Sequence, residues 1–312
     1  MSTPILGLHH VTATVNDAQQ DLDFYSGVLG LRLVKKTVNF DNAHVYHFYY
    51  GTAVGAPGTI WTTFPYKGHG VRPGSKGAGQ IGVTSFSVPS GSLEFWRSRL
   101  SQIGVIVREQ APRFGEPSIV FPDPSGLAIE LIASHDAREP WTESDVVATA
   151  AIRGLHSVTM RVRTPGSTVA FMTKVLGYTV AHETEGRIRL FVGVDEPGRR
   201  IEIAHSPDLP GAVNGLGTVH HVAMAVQTAA DQLSLREQLM DMGVQVTPVM
   251  DRQYFTSIYF REPGGVLCEI ATVPPGFTLD ETVEGLGREL KLPPWEEPNR
   301  AAIEQGLPRI RH

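Results

Sequence analysis

Alternation of apolar and polar positions marks a strand over residues 8–15, LHHVTATV, where Val11, Ala13 and Val15 share one face and His10, Thr12 and Thr14 the other. The pattern then changes to a helical stretch at 17–31, followed by β-rich runs at 44–50 and 59–64. The same order recurs three times. Residues 81–88, 155–162 and 219–226 alternate as first strands, and 90–104, 164–178 and 229–243 read as helices. The pairs 118–121 with 127–133, 188–193 with 200–206 and 256–262 with 266–273 read as strands. Each helix stops at or near a glycine, namely Gly30, Gly104, Gly177 and Gly243. The chain thus predicts one βαβββ unit written four times.

Such a unit covers one face of its sheet with its helix and leaves the other bare, so units must pair and curl their bare faces around a cavity. The expected class is α+β, with units at 5–78, 79–150, 151–213 and 214–275 and a tail at 276–312 that lies over the cavity mouth as a lid.

Composition narrows the partners. The 312 residues are 41% hydrophobic and 19% charged, as in globular proteins. A formal charge of -5 without a Lys/Arg cluster argues against nucleic acid. No apolar run is long enough to span a bilayer, and the N-terminus does not read as a signal peptide, so no membrane partner and a cytoplasmic location are expected. The single Cys268 fits a reducing compartment. A homo-oligomer is compatible with all of this.

Two first strands open on paired histidines, His9–His10 and His220–His221. A lone histidine on a strand is ordinarily a core residue, but two pairs in one frame point to metal. The fourfold unit, with histidines on first strands and a glutamate on a last strand, resembles the vicinal oxygen chelate superfamily of glyoxalases, bleomycin-resistance proteins and extradiol dioxygenases. Residues 38–51, 92–100 and the HHV segments resemble its hydroquinone-type ring-cleaving dioxygenases.

Within that resemblance, alternation selects the metal ligands. His10 opposes the apolar face of its strand, and His221 opposes Val222, Met224 and Val226 and shares its face with Ala223 and Ala225. The resemblance asks for a carboxylate on a last strand, and Glu269 in VLCEIATV is costly there unless paired or metal-bound. An exposed edge-strand glutamate is its ordinary alternative. His10, His221 and Glu269 form the two-histidine, one-carboxylate set of non-haem Fe(II) oxygenases. Fe(II) is therefore the expected cofactor, Mn(II) is compatible, and O2 is the co-substrate. Because the ligands come from units one and four, these must pair, leaving unit two with unit three.

The middle units act as a control. Ser157 and Gly82 fall opposite His10, so neither offers an imidazole, and His156 falls in the His9 frame on the helix side. Glu130 and Glu202 remain on last strands as structural acids. In unit one Thr62 stands where glyoxalase-type isomerases carry a second carboxylate, which leaves metal positions free for a phenolate and O2.

Tyr259 and Arg252 are the catalytic candidates, one facing the cavity by alternation and the other in the approach loop. Thr12, His9 and His220 are implied by the resemblance as residues around the metal and substrate, although simple alternation turns His9 and His220 away unless the strand is bulged. His44 and His47 read as packing, with a substrate-pocket wall as the alternative, His69 as loop, and Tyr46 and Tyr50 as aromatic anchors for the substrate. The reading is an Fe(II)-dependent dioxygenase opening a substituted hydroquinone or related dihydroxyaromatic, with a glyoxalase-like isomerase or lyase and a metal-free small-molecule binder as alternatives.

Overall fold

The computed structural model describes residues 3–311. Unit one comprises β1 (Ile5–Val15), α1 (Ala18–Leu22) continued by a π-helical turn at Asp23–Val28, β2 (Arg32–Asn39), β3 (Asn42–Gly51) and β4 (Ile60–Pro65). Unit two has β5 (Gln80–Val88), α2 (Leu93–Gln102), β6 (Arg108–Arg113), β7 (Glu116–Pro122) and β8 (Ala128–Ala133). Unit three has β9 (Gly154–Val162), α3 (Pro165–Lys174), β10 (Thr179–Thr184), β11 (Arg187–Phe191) and β12 (Arg200–His205). Unit four has β13 (Thr218–Val226), α4 (Ala229–Asp241), β14 (Met250–Asp251), β15 (Thr256–Arg261) and β16 (Leu267–Thr272).

Local chemistry explains the punctuation. Asp17 caps α1 by accepting from the backbone N–H groups of Gln19 and Gln20, and Thr228 and Asp231 close a capping box on α4. The stop glycines Gly30, Gly104, Gly177 and Gly243 adopt φ of 70°, 75°, 73° and 78°, a left-handed conformation that a Cβ would strain. No helix among the described residues is long and apolar enough to cross a membrane.

Units one and four share one eight-stranded sheet, in the order β14-β15-β16-β13-β1-β4-β3-β2. Units two and three share the other, in the order β10-β11-β12-β9-β5-β8-β7-β6. This is the expected pairing. In each sheet the two first strands meet antiparallel at the centre, and each last strand runs parallel beside its own first strand. The helix-side faces form the apolar core: Val11, Ala13 and Val15 in unit one and Val222, Met224 and Val226 in unit four are all buried.

The central pairs carry bulges where the paired histidines lie. Leu8 pairs Met224 and His10 pairs Ala223, leaving His9 unpaired; Thr12 pairs His221 and Ala13 pairs Val219, leaving His220 unpaired. An extra residue on one strand breaks the period-2 rule, so both imidazoles of a pair turn to the same side. The middle units repeat the device, with Gly82 and His156 skipped in the β5–β9 register. This corrects two expectations. Gly82 is the counterpart of His9, not of His10, whose place Val83 takes, and His156 does not lie under a helix.

The tail, which carries α5 (Arg300–Gly306), lies along β2 and β3. Buried Lys35 bonds Asp280 and Glu281, Arg32 donates to the Val283 carbonyl, and Tyr46 donates to the Pro308 carbonyl. It meets the rim of the cavity where Trp295 packs on Phe40, their ring centres 5.6 Å apart.

Candidate metal centre

At the middle of the first sheet three ligand-type atoms converge. His10 Nε2 and His221 Nε2 lie 3.2 Å apart, and Glu269 Oε2 is 3.3 Å from the first and 2.8 Å from the second. All three residues are buried. They are the one group of three or more such residues, among those described, whose donor atoms fall within reach of a shared ion.

The neighbouring residues decide which nitrogens carry protons. His9 Nδ1 lies 2.8 Å from His10 Nδ1, and His220 Nδ1 lies 2.8 Å from His221 Nδ1. Burial, reinforced by the adjoining imidazole, lowers both His9 and His220 to a pKa of about 3, so both are neutral. A neutral His9 with its proton on Nε2 accepts through Nδ1 at that distance. In that arrangement His10 donates from Nδ1, which leaves its Nε2 as a lone pair. The matching contact at His220–His221 gives His221 the same polarity.

Two lone pairs and a carboxylate oxygen thus face one point. Burial opposes charge on the Glu269 carboxylate, and two imidazole lone pairs beside it do nothing to offset that cost. Ser257 donates to Oε1, while buried Oε2 has no hydrogen-bond donor. An orphaned carboxylate oxygen between two imidazole nitrogens is a costly arrangement that a divalent cation would satisfy. The residues present therefore fit a metal.

A cavity of about 550 Å³ opens beside the triad. His10, Thr12, His220, His221, Arg252 and Tyr259 line it; Glu269 is sealed beneath, and His9 lies behind, its ring centre 4.9 Å from that of Phe255. Tyr259 accepts at 3.2 Å from Arg252 Nε, and the Arg252 fork reaches Asp41 at 3.1 Å and 3.3 Å across the cavity mouth. Burial, with Glu269 nearby, pushes the Tyr259 hydroxyl far above its ordinary pKa. It keeps its proton and is a donor. All eight residues singled out from the sequence are thus gathered around one centre.

Other expectations fail here. Tyr46 and Tyr50 do not face the cavity: Tyr46 stacks on Phe48, and Tyr50 donates to Asp21 on the helix side. His47 and Tyr49 line the cavity instead, with Asn39, Phe40, Asp41, Phe64 and Tyr66. Alternation along HVYHFYY separates the same two sets, but it does not say which set faces in. His44, expected to pack, is exposed, and His69 is exposed in its loop as expected.

Comparison with known proteins agrees with this architecture. The family model described as "Glyoxalase/Bleomycin resistance protein/Dioxygenase superfamily" matches residues 7–131 and 154–270. The Bacillus subtilis protein named "Putative ring-cleaving dioxygenase MhqO" is 42% identical over 98% of this chain and 97% of its own length. The chlorohydroquinone/hydroquinone 1,2-dioxygenase of Sphingobium indicum is 38% identical over 92% of this chain and 91% of its own. A crystal structure described as a putative dioxygenase from Bacillus subtilis superposes with a TM-score of 0.94, at 41% identity, covering 100% of this chain and 99% of that one.

Proposed function

Because the chain belongs to the glyoxalase/bleomycin resistance protein/dioxygenase superfamily and is one of its ring-cleaving dioxygenases, we propose that it opens a substituted 1,4-hydroquinone with O2. Cleavage would fall between a hydroxylated carbon and its neighbour, giving a ring-opened acid, with one Fe(II) held by His10, His221 and Glu269. The orphaned Glu269 oxygen between two imidazole lone pairs carries this reading. Thr62, wholly buried where an isomerase would carry a second carboxylate, argues against the glyoxalase alternative.

When bound, the iron lowers the pKa of a phenol and lets the electron-rich pair hand charge to O2. The chain supplies the rest. His9 and His220 fix the tautomers of the two ligand histidines and so keep their Nε2 lone pairs aimed inward. Arg252, tied to Asp41 at the mouth, puts a fixed positive charge beside the cavity, where an anionic ring oxygen is stabilised. Its Nε–H donates to the Tyr259 oxygen and occupies one acceptor site there, leaving the tyrosine O–H free to donate within the cavity that it lines. Phe64, Phe255, Met250 and Leu267 give apolar walls that receive an aromatic ring and exclude water.

Anaerobic purification, Fe(II) loading and an oxygen-electrode screen of hydroquinones and catechols test the proposal. We expect one iron per chain and O2 uptake that is fastest with a hydroquinone. Catechols cleaved at least as efficiently as every hydroquinone would overturn the substrate class, and no uptake with any dihydroxyaromatic would overturn the oxygenase.

A further inference from the structure

The four units repeat one side-chain contact beneath their cavities. On each last strand the residue four positions after the turn glycine faces inward: Thr62, Glu130, Glu202 and Glu269. On the adjoining strand, the residue two positions before its direct partner reaches across to it. Ser118 donates to Glu130, Arg187 to Glu202 and Ser257 to Glu269. In unit one Tyr49 pairs Thr62, so this position is His47, whose Nε2 lies 2.9 Å from Thr62 Oγ1. Units two to four place an acid on the last strand and a donor beside it. Unit one places an imidazole beside a hydroxyl.

That exchange leaves an unpartnered acceptor on a residue that lines the cavity. Thr62 donates its one hydroxyl hydrogen to Thr12 at 2.8 Å, so it must accept from His47 Nε2–H. Burial, then the neighbouring His10, His221 and Arg252, hold His47 well below its ordinary pKa and keep it neutral. Its Nδ1 is therefore a lone pair, with no hydrogen-bond partner among the described residues. His47 lines the same cavity as His10 and His221, with its ring centre 3.9 Å from that of Tyr49 and 4.3 Å from that of Phe64.

We propose that His47 Nδ1 accepts the hydrogen bond of the ring hydroxyl that does not reach the metal, making His47 a specificity-determining residue for a dihydroxyaromatic with separated hydroxyls. The assignment rests on the hydroquinone reading above. A catechol brings both oxygens to one metal and does not need this acceptor, whereas a hydroquinone keeps its distal hydroxyl and must satisfy it on protein.

Equilibrium binding to anaerobic, Fe(II)-loaded protein tests it without turnover, with hydroquinone and phenol as probes. Phenol lacks the distal donor. The intact chain should bind hydroquinone about tenfold more tightly than phenol, the scale of one hydrogen bond that would otherwise be lost. His47→Phe should abolish that preference, read as the ratio of the two affinities, with iron stoichiometry unchanged, and His47→Gln, which returns an acceptor oxygen, should restore part of it. Thr62→Val removes the group that fixes the His47 tautomer and should reduce the preference without removing the ring. A preference unchanged in His47→Phe and Thr62→Val overturns the role of His47, even if O2 is consumed. A preference that follows His47 without O2 uptake upholds the role and overturns the oxygenase.

Discussion

The two sheets are built alike and filled differently. In the sheet of units one and four, Glu269 meets two imidazole nitrogens and keeps an oxygen unsatisfied beside an open cavity. In the sheet of units two and three, the corresponding floor is closed by arginine. Arg113 forks onto Glu130 with two bonds of 2.7 Å, Arg187 and Arg189 bond Glu202 at 2.7 Å and 2.8 Å, and Arg189 and Arg200 bond Glu116 at 2.6 Å and 2.9 Å. The bulged His156, counterpart of His220, joins Glu116 at 3.2 Å. The same carboxylate frame becomes a ligand where imidazoles face it and an ion-pair lattice where guanidinium groups do. A planar fork satisfies both carboxylate oxygens, so the second sheet has no orphan for a cation.

The largest test of this contrast is removal of a ligand. Glu269→Ala should abolish stoichiometric iron binding and O2 uptake with the fold retained, as read by metal analysis and circular dichroism. One iron per chain still bound by the His10/His221/Glu269 triple Ala variant would place the metal elsewhere.

Breaking the other sheet should show the opposite profile. Glu202→Gln leaves buried Arg189 and its neighbours without their shared anion, which costs about 3–5 kcal/mol. Urea unfolding should report that loss while iron stoichiometry in the remaining folded protein stays at one. A change below about 0.5 kcal/mol, typical of a surface site, would show that the lattice is dispensable.

Within the open sheet, Tyr259→Phe separates chemistry from metal binding. Turnover should fall about 100-fold, the lower end for a lost proton donor, with iron affinity unchanged. Parallel loss of both would make Tyr259 a support for the metal. His9→Ala should instead weaken iron affinity by about 10- to 100-fold, as outer groups that orient a ligand do, and calorimetric titration reads this directly.

The last test is pH dependence, where the two regions have opposite signs. Asp21, beneath the first sheet, accepts from Tyr50 and Thr63 but has no cation, and burial pushes it up to about 8. A raised folded pKa means stability that is full below about 4 and lost as pH rises toward 8. Burial also works against charge on Glu116, yet His156 and Arg189 hold it at about 2, so its stabilisation is present above about 4.5 and lost as pH falls toward 2. Asp21→Asn should flatten the decline in Tm as pH rises from about 4 to about 8 and leave the loss at acid pH in place. An unchanged decline over that window would assign it to another group.

Much of this was legible in the chain. The fourfold unit, the stop glycines and the apolar helix-side faces follow from periodicity, which is a local property of backbone geometry. Frames counted within each unit put His10, His221, Glu269 and Thr62 at inward positions, and the family resemblance supplied the need for a carboxylate at Glu269 and the meaning of a neutral Thr62. The faces of His9, His220 and His47 did not. His9 and His220 turn because each is the extra residue of a bulge, and a bulge exists only relative to a partner strand about two hundred residues away. The choice between Tyr46 with Tyr50 and His47 with Tyr49 as cavity wall depended on the parity of β3 against β4, which alternation leaves free. The arginines that close the second sheet come from two units, Arg113 from one and Arg187, Arg189 and Arg200 from the other. The sequence by itself determined which groups each unit could offer. The tertiary structure decided which of them met, because strand pairing sets the register and the bulges that turn side chains toward or away from a shared floor.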